Sequence, residues 1–123
     1  MRRQDNSAPF HPTHDPILHR YEAQFRALRV QLAELGFFCK GTVLERRMTC
    51  GKPACACGTE PARRHGPYFE WTYKVAGKTA NVRLAPEAVA AYRAGTAEWR
   101  RLRRLLTRLE SLSRRAIRRQ ARS

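Results

Sequence analysis

The amino-acid sequence predicts an α+β fold: an N-terminal helix, a small antiparallel sheet of one strand plus a hairpin with a Cys/His zinc loop, and a long arginine-rich C-terminal helix. Three observations predict it. Apolar residues recur at helical spacing from Leu18 to Leu35 and again from Trp99 to Ile117. Between those stripes, Phe69 to Val75 alternates apolar and polar residues, the period of a strand. Three cysteines fall between Cys50 and Cys57, close enough in sequence to share one metal ion. The expected organisation is a flexible tail over 1–15 and a single small domain over 16–123. Within it a helix covers 16–35, the zinc loop and sheet 37–84, and helices 86–120.

The lead-in carries Pro9, Pro12 and two histidines without any period. Asp15-Pro16 then reads as N-cap and first helical residue, because an aspartate accepts orphan amides and proline's fixed φ suits the first turn. Leu18, Tyr21, Phe25, Leu28, Leu32 and Leu35 follow on one stripe, and Gly36 offers a left-handed stop. Gly41 to Met48, bounded by a glycine and the cysteines, is expected as a strand.

From Pro67 to Leu84 a two-residue turn at Ala76-Gly77 would pair Tyr73 with Ala80, Trp71 with Val82 and Phe69 with Leu84. The other face would pair Lys74 with Thr79, Thr72 with Asn81 and Glu70 with Arg83, adding an ion pair. One register satisfies both faces, and the apolar one is expected to pack on the two helices. Pro86 restarts a helix with Ala88, Val89 and Tyr92 inward, and Gly95 marks an expected bend or break. Beyond it Trp99, Leu102, Leu105, Leu106, Leu109, Leu112 and Ile117 form the second stripe. The two stripes pair within the chain or between two copies as a short coiled coil, which leaves a homodimer open.

Charge bounds the partner. Lys and Arg number 25 against 10 Asp and Glu in 123 residues, a net charge of +15, so a polyanion is expected. No apolar run approaches the ~20 residues of a membrane span, and no secretory h-region follows Met1. The cytoplasm is the expected compartment, near the nucleoid if the partner is DNA.

The sharpest chemical signal is Cys50-Gly-Lys-Pro-Ala-Cys55-Ala-Cys57, with His65 following. Three thiolates and one imidazole close a tetrahedral zinc site, leave no position for water, and so staple rather than catalyse. One zinc per chain is expected on Cys50, Cys55, Cys57 and His65, with Lys52 and nearby arginines offsetting thiolate charge. A reduced thiol-rich loop is the plainer alternative. Redox chemistry is disfavoured because the motif is Cys-x-Cys rather than Cys-x-x-Cys opening a helix. Cys39 suits a small buried position, and is the substitute should His65 not ligate.

The succession Cys-Gly-Lys-Pro-x-Cys-x-Cys, His65-Gly66-Pro67-Tyr68, an aromatic strand and a Gly-Lys-Thr turn resembles a bacterial family of short basic proteins of unknown function. Its members are often met beside transposase or integrase genes. The resemblance covers about residues 40–110 and implies a genomic context, not a reaction. Ala54 and Ala56 stand where many relatives would be expected to carry polar or basic residues, which removes phosphate contacts from the loop.

Arginine predominates where the charge is densest: ten arginines and two glutamates lie between Glu98 and Ser123. Guanidinium forks match phosphate oxygens two at a time, so nucleic acid is the expected partner, DNA ahead of RNA. The candidate contacts on the last helix are Arg100, Arg101, Arg103, Arg104, Arg108, Arg114, Arg115, Arg118 and Arg119. A second group is Arg46, Arg47, Lys52, Arg63 and Arg64 around the cysteines, with Lys74, Lys78 and Arg83 on the polar face of the hairpin beside Tyr68.

Catalysis is not expected. A nuclease or transposase gathers carboxylates around metal ions, whereas these acids are scattered singly, and Glu22, Glu34, Glu45, Glu70, Glu98 and Glu110 sit beside basic residues as surface ion pairs. A deaminase's His-x-Glu before Cys-x-x-Cys is missing. The sequence therefore favours a zinc-stapled nucleic-acid-binding accessory protein, assisting a mobile-element transposase or recombinase. A helical interaction or dimerisation module docking on an acidic partner is the second class, and a thiol redox or metal-transfer protein the third.

Overall fold

The structure is a computed structural model that describes Phe10 and residues 13–122; most of the expected flexible tail lies outside the described residues. Its elements are α1 (Pro16–Ala33), β1 (Thr42–Met48), β2 (His65–Val75), β3 (Lys78–Leu84) and α2 (Val89–Arg122), with short 3-10 turns at Ala56–Gly58, Pro61–Arg63 and Pro86–Ala88. The described chain divides into two compact units, Met1–Leu35 with Arg101–Ser123, and Gly36–Arg100.

The first unit is a helix pair. Asp15 caps α1 as expected, its Oδ1 accepting from the Ile17 amide at 3.0 Å. The helix stops at Ala33, and Glu34 caps it with φ −88°. Gly36 is therefore not the left-handed stop; its amide instead donates to Glu98 Oε2 at 2.8 Å, within the second unit. Leu28 joins Leu105, Leu109 and Leu112 in one buried cluster, with Tyr21, Phe25, Leu32 and Leu35 packed around it. Asp15 meets Arg119 and Glu34 meets Arg101, so the two segments run antiparallel. Leu106 and Ile117 leave the expected stripe, at 50% and 61% exposure. Each lies about 100° or more around the helix from Leu105, past the edge of the contact face. Phe10 packs edge-on against Phe25 at 5.3 Å between ring centroids.

The second unit is a three-stranded antiparallel sheet in the order β1-β2-β3 with the start of α2. The hairpin has the expected register at every named pair. Ala76 (φ 51°) and Gly77 (φ 80°) both take the left-handed conformation of a type I′ turn, which matches the strands' twist. The register also places Lys78 opposite Val75, so Lys78 lies on the apolar face and not on the polar one with Lys74 and Arg83.

The apolar face meets α2: Trp71 stacks on Tyr73 at 4.1 Å and lies 5.1 Å from Tyr92, and Arg93 lies over Phe69. Trp71 Nε1 also donates to the Lys40 carbonyl at 2.7 Å. The packing of this face is thus made by the beginning of α2, and Val82 is left 36% exposed.

Helix α2 runs unbroken through Gly95, correcting the expected bend. Gly95 is instead a point of close approach. Its carbonyl accepts from the Cys39 amide at 3.2 Å, and a Cβ there would sit 3.0 Å from Cys39 Sγ. The glycine admits the incoming chain, while buried Thr96 keeps its hydroxyl bonded to the Arg93 carbonyl.

Candidate metal centre and basic surfaces

The 16 residues between Met48 and His65 fold back because the strands they join are antiparallel neighbours, Met48 pairing with His65. The register shifts between Arg46 and Met48, and this bulge faces Gly66, whose φ of 128° and lack of a Cβ let it approach the Arg46 carbonyl. Two 3-10 turns then bring the connection round on itself. Cys55 N donates to the Lys52 carbonyl at 3.1 Å, and Gly58 N to the Cys55 carbonyl at 3.3 Å.

These turns gather Cys50, Cys55, Cys57 and His65, with every ligand atom within 4.8 Å of the others. Cys50 Sγ lies 3.6 Å from Cys57 Sγ, and Cys55 Sγ lies 3.4 Å from His65 Nε2. The first distance excludes a disulfide, whose sulfurs would be ~2.05 Å apart. Around a tetrahedral ion with ~2.3 Å metal–sulfur and ~2.0 Å metal–nitrogen bonds, the corners lie ~3.8 Å apart between sulfurs and ~3.6 Å from sulfur to nitrogen. Those two pairs are near metal-holding separation already, and the widest pair needs to close by about an ångström. Cys57 is 2% exposed and forms the floor, while Cys50 is exposed. Cys39 stands outside the group, against Gly95.

The thiols are electrostatically unequal. The Cys57 amide, then hydrogen bonds from the Cys57 and Cys50 thiols, draw the Cys55 thiol below its ordinary pKa. Cys57 goes the other way: the Cys50 amide (3.3 Å) pulls it down, but the Cys55 hydrogen bond, burial and the neighbouring Cys50 outweigh that and hold it up. Three thiolates cannot share so small a space without a cation between them, and a divalent metal relieves that repulsion. The cluster can hold a metal ion.

The expected basic contacts separate into tied and untied groups. Arg46 binds Glu70 at 3.2 Å, which replaces the expected Glu70–Arg83 pair because β1 supplies a closer guanidinium; Arg83 lies instead over the Tyr68 ring at 4.3 Å. Arg63 binds Glu60 at 3.2 Å, Arg101 binds Glu34 at 3.6 Å, Arg114 binds Glu110, and Arg119 binds Asp15 at 2.6 Å. Arg119's hydrogen bond holds the Asp15 carboxyl below the usual carboxylate range, and Arg114 does the same for Glu110. Arg47, Lys52, Arg64, Lys74 and Lys78 are exposed.

Arg100, Arg103, Arg104, Arg108, Arg115 and Arg118 are exposed and form no ion pair among the described residues. Sequence reading recognised Asp15 as a cap and missed its bond to Arg119, since nothing local links residues 104 positions apart.

Residues 18–94 match a family described as a domain of unknown function, DUF6788. The match covers more than half of the chain, which therefore belongs to that family. It takes in α1, the metal loop and the sheet, and stops before the arginine-rich part of α2. No curated protein and no solved structure matches the chain. No helix among the described residues is long and apolar enough to cross a membrane.

Proposed function

We propose that this DUF6788 chain is a non-catalytic, zinc-stapled nucleic-acid-binding protein that accompanies a mobile-element transposase or recombinase. The observation that carries the nucleic-acid reading is the arrangement of untied arginines on α2. Arg100, Arg104, Arg108, Arg115, Arg118 and Arg122 follow one another at spacings of 4, 4, 7, 3 and 4, with Ser111 filling the gap. At 3.6 residues per turn they occupy a sector about 80° wide, and from Arg104 to Arg122 the ridge is ~27 Å long. It lies about 110° around the helix from the Leu105, Leu109 and Leu112 face.

Such a ridge weakens the helix that bears it, because like charges one turn apart cost ~0.2–0.5 kcal/mol per pair. A polyanion removes that cost and releases its own counterions, so the ridge makes sense as a phosphate-contacting surface. Zinc fits the donor set, since three thiolates and an imidazole are soft to borderline ligands that close a four-coordinate site. A closed site stabilises the β1–β2 connection and offers no position for a reacting water. The acids support the non-catalytic reading: Asp15, Glu22, Glu34, Glu60, Glu70 and Glu110 are each engaged by an arginine rather than gathered around a metal. The mobile-element context rests on the sequence resemblance alone.

Two measurements test the reading. Elemental analysis of protein purified without chelator should give one zinc per chain. Titration of a random-sequence 30-base-pair duplex at several salt concentrations should give a steep negative slope of log affinity against log salt. Replacing Arg104, Arg108, Arg115 and Arg118 by Gln should flatten it by roughly 0.9 for each phosphate no longer neutralised. If the parent does not bind nucleic acid even at low salt, the reading falls and a module docking on an acidic protein takes its place.

A further inference from the structure

We propose that the uncovered face of the three-stranded sheet enters the major groove of duplex DNA and reads base edges there. This rests on the nucleic-acid reading above and adds the surface, the form of nucleic acid and a sequence preference.

The register separates the sheet's two faces. Residues directly opposite one another in an antiparallel pair point the same way, so Trp71 and its partners Val43 and Val82 share the face that meets Tyr92 of α2. Apart from Leu44, which shares a row with Glu70 and Arg83, the opposite face is polar. Its middle is a row of short side chains, Thr42, Thr72 and Asn81, paired across all three strands. On the metal side of that row stand Arg46 and Arg83, and on the turn side stands Lys74. Of these six residues Thr72 is half-buried and the other five are exposed.

Short side chains in the middle let the sheet approach the floor of a groove closely, while the long basic residues at either end can reach the phosphates that flank it. The B-form major groove, ~12 Å wide, admits a two-stranded ribbon, so β2 and β3, ~4.8 Å apart, can enter it with β1 at the rim. The A-form major groove is deep and narrow, so duplex RNA does not admit the sheet. A single strand would want aromatic platforms, and the one aromatic side chain on this face, Tyr68, has its ring under the Arg83 guanidinium.

The chemistry at the centre suits base edges more than phosphates. An asparagine side chain can donate to and accept from adenine at once, an arginine can grip the two acceptors of guanine, and a threonine methyl fits the thymine methyl. Both arginines are already held, Arg46 against Glu70 and Arg83 against Tyr68, which lowers the ordering cost of using them. The sheet would supply preference, and the ridge on α2 affinity.

The experiment is selection from a random 30-base-pair duplex pool at fixed salt, followed by titration of the selected duplex and of a scrambled one. The parent should prefer the selected duplex at least tenfold. Asn81→Ala should reduce that preference about tenfold while leaving the scrambled duplex, the zinc content and the circular dichroism unchanged, and Arg83→Gln should weaken the selected duplex about tenfold more than the scrambled one. Val82→Thr, on the covered face, should alter neither affinity. Binding without an enriched sequence, equal weakening on both duplexes, or equal affinity for duplex RNA of the selected sequence would each overturn the sheet's role while leaving phosphate binding intact. Absence of all binding would instead remove the nucleic-acid reading on which the proposal stands.

Discussion

The two units of this chain are stabilised by different means. In the helix pair, Leu18, Leu28, Leu105, Leu109 and Leu112 are all at least 93% buried, and a leucine cluster explains the association. In the sheet unit the buried apolar residues are Cys57, Leu84 and Val89, and one of those three is a candidate ligand. Trp71, Tyr73 and Phe69 are only half covered. A small sheet with so thin a core gains most from a staple, which is the role proposed above for the Cys/His cluster. The helix pair has no comparable need.

Metal removal should therefore break the comparison most. Structural zinc sites in small domains carry an apparent ~10–16 kcal/mol at neutral pH, more than any single side chain. Chelation, or Cys57→Ser, should abolish amide-exchange protection across Thr42–Leu84 while protection in Pro16–Ala33 and around Leu105–Leu112 persists. Equal loss in both regions would mean that the two units do not unfold separately.

A smaller effect probes the other unit. Leu109→Ala, at a 7% exposed position in the leucine cluster, should cost about 2–5 kcal/mol in chemical unfolding of the helix pair and leave zinc affinity unchanged. A cost below ~1 kcal/mol would show that the cluster collapses around the gap and is not the source of stability.

The smallest effect sharpens how the helix pair is aligned. Asp15 has its folded pKa lowered, first by the Arg119 hydrogen bond, so its contribution is present above the unfolded value of ~3.9 and is lost as pH falls through the folded one. Asp15→Asn keeps a capping oxygen and removes the charge. The variant should melt slightly below the parent at pH 7, and the two curves should converge as pH drops below about 4. A constant gap down to pH 2 would assign the loss to capping instead of the ion pair.

Much of this architecture was legible locally. The Asp15-Pro16 start, the Leu18-to-Leu35 stripe and every named pair of the β2–β3 hairpin follow from short-range rules, because side-chain period and turn chemistry act within a few residues. The clustering of the four candidate ligands was legible too, since their spacing in sequence is itself short. Errors came where a residue's neighbour was distant in sequence. Glu70 chose Arg46 over Arg83 once β1 lay alongside, and Gly95 proved to be a landing place for Cys39 instead of a helix break.

Composition and periodicity determined that this chain forms two leucine-striped helices, an aromatic hairpin and a cysteine-rich connection, and that it carries a large positive charge. Tertiary structure alone decided which arginines are already bound and which form no ion pair among the described residues, and that β1 completes a sheet whose polar face carries Arg46, Arg83 and Lys74. The physical reason is range. Helical and strand periods are set by backbone geometry over one or two turns, whereas an ion pair such as Asp15–Arg119 exists only after the chain has folded back over 104 residues.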